Sequence, residues 1–192
     1  MKREPASSPD AVATSPFELR PPVDQVEAGR SFFSELDLNV SHFAAVWHSF
    51  KVGERLAADL NAVSARHDLS IADFHLLGAL MMERPTPLRA TDLALALHVT
   101  NAAISTRVAR LAAQGLLERA HSATDHRAVL LHLTDTGAAK VRAIGAALEH
   151  KSRFIALFRR LPEVDRDALE RIMGELHTQL ARSFVPVSRS KV

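Results

Sequence analysis

The sequence predicts a mostly α-helical fold carrying one small β-hairpin. Three observations lead there. Apolar residues make up 47 % of the 192-residue chain, with only 5 % aromatics and no Tyr, so the interior must be built mainly from Ala, Leu and Val, a composition that suits packed helices. Most of these residues recur at steps of three and four, the period of a helix with one buried face. One region alone breaks that period. Between Leu116 and Leu133 two short apolar runs flank a polar stretch, the pattern of two strands and a loop.

The elements follow in order. Residues 1–30 read as a mobile arm, because Pro5, Pro9, Pro16, Pro21 and Pro22 stand among Ser, Ala and both charge signs. Such a stretch buries too little apolar area to offset its ordering entropy. Leu36, Val40, Phe43, Trp47 and Phe50, then Leu56, Leu60 and Val63, mark one long helix over about 39–67, with a change of stripe and a bend near Gly53. Ser70 and Asp73 have the spacing of an N-cap and an acidic third residue, and open a helix from Ile71 to about Glu83. A short helix follows from about Ala90 to Leu97, and another from Thr100 to near Gly115. Leu116–Arg119 and Ala128–Leu133 are the strands. Thr134 caps a long helix over Asp135–Arg160, which Leu161-Pro162 ends. The last helix carries Val164, Ala168, Leu169, Ile172, Leu176 and Leu180 on one face. This organises the chain as an arm (1–30), N-terminal dimerisation helices (31–68), a central lobe (69–134), C-terminal dimerisation helices (135–185) and a frayed tail (186–192).

Composition excludes several function classes. Without Cys there is no disulfide framework, thiol switch, Cys-type zinc site or Cys nucleophile, which is compatible with a cytoplasmic location. No apolar run follows the N-terminus and none reaches ~18 residues, so neither a signal peptide nor a membrane span is expected. The seven glycines are scattered and form no Gly-x-Gly; Gly-x-Ser-x-Gly and His-Glu-x-x-His are also missing. No catalytic residue, cofactor or metal is therefore expected. Among the ten His, His42 and His48 stand six apart and His121 and His126 five apart, neither of them the spacing that puts two ligands on one helix face. The net charge of +2 permits a nucleic-acid partner without demanding one.

The informative segment runs from Thr91 to Leu111. Leu93, Ala94 and Leu97 give the first of two short helices a buried face. Val99 fills the corner, Thr100 can cap the second helix, and Ile104, Val108 and Leu111 lock it back onto the first. The face left outward carries Asn101, Ala102, Ser105, Thr106 and Arg110, with Arg107 beside it. Small residues for close approach and donors for base edges and phosphates are what a helix needs in a major groove about 12 Å wide. Amphipathic helix pairs with a merely solvated face are common, and a helical protein-interaction module would look similar. The hairpin placed directly after the pair favours duplex DNA. In its loop, Arg127 can enter a minor groove, Asp125 can hold the guanidinium by a bidentate pair, and His126 lies between them. Arg89 and Thr91, at the start of the first helix, complete the expected DNA-binding set. Together these elements read as a winged helix-turn-helix.

The residues also carry a resemblance. Leu93-Ala94-x-x-Leu97-x-Val99-Thr100, Ile104-Ser105, Arg110-Leu111, Gly115-Leu116-Leu117-Glu118-Arg119, Asp125-x-Arg127 and Leu133-Thr134-x-x-Gly137 resemble the MarR family of bacterial regulators over about 39–184. The resemblance implies an intertwined homodimer, a palindromic operator, and release of DNA, typically by a repressor, when a small and often aromatic ligand binds. Arg89 departs from it, since many members place a Ser or Thr cap there. The apolar faces of the first and last long helices fit the implied dimer, because two half-sites one turn apart require two recognition helices. Trp47, the only Trp, and His75 on the second helix are the candidate walls of an effector pocket. The N-terminal extension and first-helix Trp are similar to the urate-responsive branch of that family. His75 departs from it, standing where that branch carries an acid.

Overall fold

A computed structural model describes residues 20–121 and 129–183. Its described residues fall into two units divided between Arg55 and Leu56, inside one helix. The first holds helix α1 (Pro22–Ser34) and the N-terminal part of α2 (Phe43–Ala65). α1 begins inside the stretch expected to be an arm, so that expectation fails for residues 22–30. Pro22 sits in the first helical turn, where its missing N–H costs nothing. Val26 is buried, and Gly29 lies so close to the Phe43 ring that a β-carbon there would fall 2.3 Å from it. Phe33 packs on Phe43 at 5.4 Å between centroids, and Phe43 stacks on Trp47 at 6.0 Å.

The second unit holds the rest of α2, then α3 (Ile71–Met82), β1 (Leu88–Arg89), α4 (Ala90–Ala96), α5 (Asn101–Ala113), β2 (Leu117–His121), β3 (Val129–Leu133), α6 (Asp135–Lys151), α7 (Arg153–Phe158) and α8 (Glu163–Ser183). The strands form an antiparallel sheet in the order β1-β3-β2, with Leu88 opposite Leu131 and Leu117 opposite Leu133. The hairpin is thus a three-stranded sheet. β1 is two residues long and carries no periodicity of its own, so only its pairing with β3 defines it. The core of this unit is apolar side chains from α3, α4, α5, the sheet and α6, with Leu76, Leu77, Leu93, Ile104, Leu111, Leu131 and Ile144 wholly buried. Each such side chain contributes roughly 1.5–3 kcal/mol by leaving water.

Two polar junctions give this core its shape. At the end of α5, Gly115 takes φ +70°, and Leu116 N–H and Gly115 N–H donate to the Leu111 and Ala112 carbonyls, a Schellman termination. Thr134 then joins that turn to α6. Its hydroxyl donates to the Gly115 carbonyl at 2.8 Å and accepts from Gly137 N–H at 3.0 Å. A β-carbon at Gly137 would stand 2.0 Å from the Leu116 carbonyl oxygen, so only glycine lets α6 approach. This explains the Leu-Thr-x-x-Gly run. The second junction corrects the sequence reading. The helix expected over 135–160 breaks at Ser152, whose hydroxyl caps α7 by accepting from Ile155 N–H at 3.1 Å.

Gly137→Ala should destabilise the protein by about 3 kcal/mol or more, because the obstacle is backbone and cannot rotate away. Denaturant unfolding measures it. Ser64 offers the opposite case: its hydroxyl is wholly buried with no hydrogen-bond partner. Ser64→Ala should raise stability by about 1 kcal/mol in the same assay, and a loss would contradict the orphaned hydroxyl.

Candidate nucleic-acid interface

The candidate interface is built on α4 and α5. Arg89 occupies the α4 N-cap without a side-chain cap hydrogen bond, as its departure from Ser or Thr implies. Leu93 and Ala94 bury the inner face of α4. The chain turns through His98, held at φ 51°, while Val99 N–H reaches the Ala94 carbonyl at 3.0 Å and His98 N–H reaches Leu95 at 3.2 Å. Thr100 starts α5 by accepting from Ala103 N–H at 3.2 Å. Ile104, Val108 and Leu111 are then buried one after another, at steps of four and three.

That backside leaves Asn101, Ala102, Ser105, Thr106 and Ala109 exposed, with Arg107 half-buried at the edge. The outward face is therefore small and polar, as the spacing predicts. Thr106 has one proton, and it is already used: the hydroxyl donates to the Ala102 carbonyl at 3.0 Å. Outward, Thr106 offers lone pairs and a methyl group, so it can accept from a base amino group or touch a thymine methyl. Thr91 is exposed on α4, and Arg89 is exposed on β1 opposite Leu130. Asp125, His126 and Arg127 lie outside the described residues.

Arg110 is placed differently from the sequence expectation. Its guanidinium is engaged by the carboxylate of Asp73 on α3, an acid with no exposed surface. The other Asp73 oxygen accepts from the Ser70 hydroxyl at 2.6 Å and the Ser70 N–H at 2.9 Å, while Asp73 N–H donates to Ser70 Oγ at 3.1 Å. The expected cap of α3 is thus present and doubles as the socket for an arginine of α5. Burial by itself pushes the Asp73 carboxyl up; the hydrogen bonds from Arg110 and Ser70 and the guanidinium charge outweigh it and hold the carboxyl below its usual range. Sequence reasoning found the cap but missed the ion pair. The available signal was an acid in the buried stripe of Leu76, Leu77 and Leu80.

The two candidate ligand residues fall in different units. Trp47 is half-buried on Phe43, with Lys51 Nζ 5.4 Å from its ring centroid. An open cleft of about 470 Å³ in the same unit is lined by Phe33, Leu38, Asn39, Val40, His42 and Phe43. His75 is exposed on α3, its ring 6.0 Å from that of Phe74. Among the described residues no group of three or more His, Asp or Glu could hold a metal ion, and no helix is long and apolar enough to cross a membrane.

Comparison with known proteins agrees with this architecture. Residues 67–128 match the family model described as MarR family. Among solved structures, the transcriptional repressor CouR bound to a 23-mer DNA duplex is 22 % identical, covering 73 % of this chain and 98 % of its own, with a TM-score of 0.64. A MepR-like protein complexed with pseudoligands is 27 % identical over 73 % of this chain and 97 % of its own, with a TM-score of 0.54. A cysteine-to-serine mutant of MarR from E. coli, complexed with operator DNA, is 22 % identical over 71 % of this chain and 94 % of its own, with a TM-score of 0.60. No curated protein matches the chain.

Arg110→Ala should lower stability by about 1–3 kcal/mol, the smaller range for a pair whose arginine is half exposed, because it strands a buried carboxylate. The pH dependence has a definite sign. Asp73 has a depressed folded-state pKa, so its contribution is complete above the unfolded value of about 4 and is lost as pH falls through the folded value. Unfolding titrations at neutral and acid pH should therefore show a smaller acid loss in Asp73→Asn than in the parent.

Proposed function

We propose that this chain is a MarR-family transcriptional regulator that binds a palindromic operator as a homodimer, reading sequence with α5, and that a small aromatic or anionic ligand releases it. The observation that carries the DNA reading is the α5 face: small and polar outward, wholly apolar inward, capped by Thr100 and followed by an antiparallel wing. A helix so held can lie in a major groove with Asn101, Ala102, Ser105 and Thr106 at base edges. Arg89, Thr91, Thr100 and Arg107 stand at its borders for phosphates, and Asp125, His126 and Arg127 are assigned to the wing tip. Arg110, engaged by Asp73, orients the helix first and faces DNA only with its remaining donors. The reading makes the chain a binding protein, not an enzyme.

The dimer is supported by exposed apolar surface. Val164, Ile172, Met173, Leu176 and Leu180 on α8 are each 46 % exposed or more, too much contiguous oil for a helix facing water. The same holds for Phe32, Leu36, Val46 and Phe50 in the first unit. The ligand reading is supported by the cleft that Phe33 and Phe43 line, the size of which falls in the range of small-molecule sites, with Phe43 stacked on Trp47. To release DNA, a ligand must bind the DNA-incompetent state more tightly; a coupling of roughly 1–3 kcal/mol lowers affinity about 5- to 150-fold.

Selection from a random duplex library, followed by anisotropy titrations at several salt concentrations, tests the function. A palindromic site is expected, with Thr106→Ala altering preference at one position of each half-site and Arg127→Ala weakening binding strongly. Duplex binding that is absent, or indifferent to salt and to both substitutions, would overturn the reading. For the ligand, the fluorescence of Trp47 should change with an aromatic acid that also dissociates the complex.

A further inference from the structure

The apolar period of residues 135–160 asks for one helix, yet the chain breaks at Ser152 with neither Pro nor Gly there. Serine is tolerated inside helices and also favours caps, so the segment alone does not decide between the two, and a contact from outside it bears on the choice. That contact comes from Asp59, on α2, 93 residues away. The Ser152 hydroxyl donates to Asp59 Oδ2 at 2.7 Å, and Phe154 N–H donates to the same oxygen at 3.1 Å. Ser152 itself is 2 % exposed and takes an extended backbone, φ −70° and ψ 126°. One carboxylate therefore accepts from the residue at the break and from the first turn of α7, while the serine oxygen caps that helix. The Asp59 carboxyl is held below its usual range, first by the Ser152 hydroxyl, against the opposing effect of burial, and with help from the Phe154 and Arg153 backbone and the Arg153 charge.

We propose that the Asp59–Ser152 pair is a positioning latch that sets the direction of α7 and α8 relative to α6, and thereby the half-site spacing at which the dimer reads DNA. This rests on the dimeric DNA-binding reading above. α6 is anchored to the wing and to α5 through Thr134 and Gly137. α8 carries the exposed apolar stripe that a second copy would cover. Two breaks separate those parts: the joint at Ser152, and the turn after α7, where the Arg166 guanidinium donates to the Arg159 and Leu161 carbonyls at 3.3 and 2.8 Å, so that the angle at Ser152 is carried on to α8. In a two-fold dimer closed through α8, any change of angle at the joint displaces both recognition helices at once. Asp59 and Ser152 touch no DNA; they act through the helices they hold.

The absence of cysteine makes the joint directly measurable. Arg142→Cys on α6 and Arg171→Cys on α8, both exposed in the parent, can be spin-labelled and the chain diluted with unlabelled protein so that only the intrachain distance is read. Ser152→Ala and Asp59→Ala should shift or broaden that distance. Asp59→Asn, which keeps an acceptor oxygen, should stay closer to the parent. On operators with varied half-site separation, the parent should prefer one spacing. Ser152→Ala should lose about tenfold there, the loss expected for one charge-assisted hydrogen bond, and show a flatter profile. Folded variants with the parent's distance and spacing profile would overturn the latch, whatever their melting temperature. A parent that binds no duplex at any spacing would remove the DNA reading and the spacing role with it, while the distance still decides whether the pair sets the angle.

Discussion

The ion pair between Asp73 and Arg110 is the constraint on which the outward face of α5 depends. A carboxylate with no exposed surface cannot stay charged without partners, and its partners here come from two helices. Apolar contacts of Ile104, Val108 and Leu111 fix how deep α5 sits, but hydrophobic attraction has no preferred direction. A helix resting on three aliphatic side chains could roll by several degrees at little cost. The guanidinium–carboxylate pair is directional, and it lies at the edge of the face that must remain outward. It therefore settles which side chains are presented, as Thr100 at the other end settles where the helix begins.

The far end of α5 is held by a different device with the same logic. Gly115 turns the chain, Leu116 enters the core, and the Thr134 hydroxyl bridges that turn to the first turn of α6. The β2–β3 hairpin leaves and returns within this junction, so the wing is referenced to α5 at its base. A binding surface held at both ends loses little entropy when it meets a ligand, the general advantage of preorganisation.

What was legible in the sequence divides along the same line. Local signals were read correctly: the Ser70 and Thr100 caps, the helix-turn-helix and its buried face, Gly115 at the end of α5, and the hairpin with Thr134 after it. Those depend on residues within a few positions of one another. Most of the misses are non-local. β1 exists because Leu88 and Arg89 pair with β3, some forty residues on. Asp73 reads as a capping residue until Arg110, 37 positions away, is brought to it. Ser152 reads as mid-helix until Asp59 meets it. α1 was hidden by Pro21 and Pro22, which open a helix as readily as they mark a linker, and Phe33 gains its meaning only from Phe43. In the site, Asn101, Ala102, Ser105 and Thr106 were expected outward and are exposed, whereas the engagement of Arg110 comes from an acid 37 positions away, and the Thr106 hydroxyl is taken up by the carbonyl one turn back.

The polar contacts share a chemistry that separates two kinds of sensitivity. Each joins a carboxylate or hydroxyl to a helix terminus: Asp73 and Ser70 at α3, Thr134 at α6, Asp59 and Ser152 at α7. Truncating a core leucine opens a cavity and lowers stability, but the surviving contacts still draw the helices to the same depth. Loss of a terminal hydroxyl or its carboxylate removes little apolar burial and frees an angle. For a protein whose proposed work is to present two helices at a set spacing, angles are the functional variable. The apolar core makes the lobe stable, and these few polar contacts set the angles of its helices.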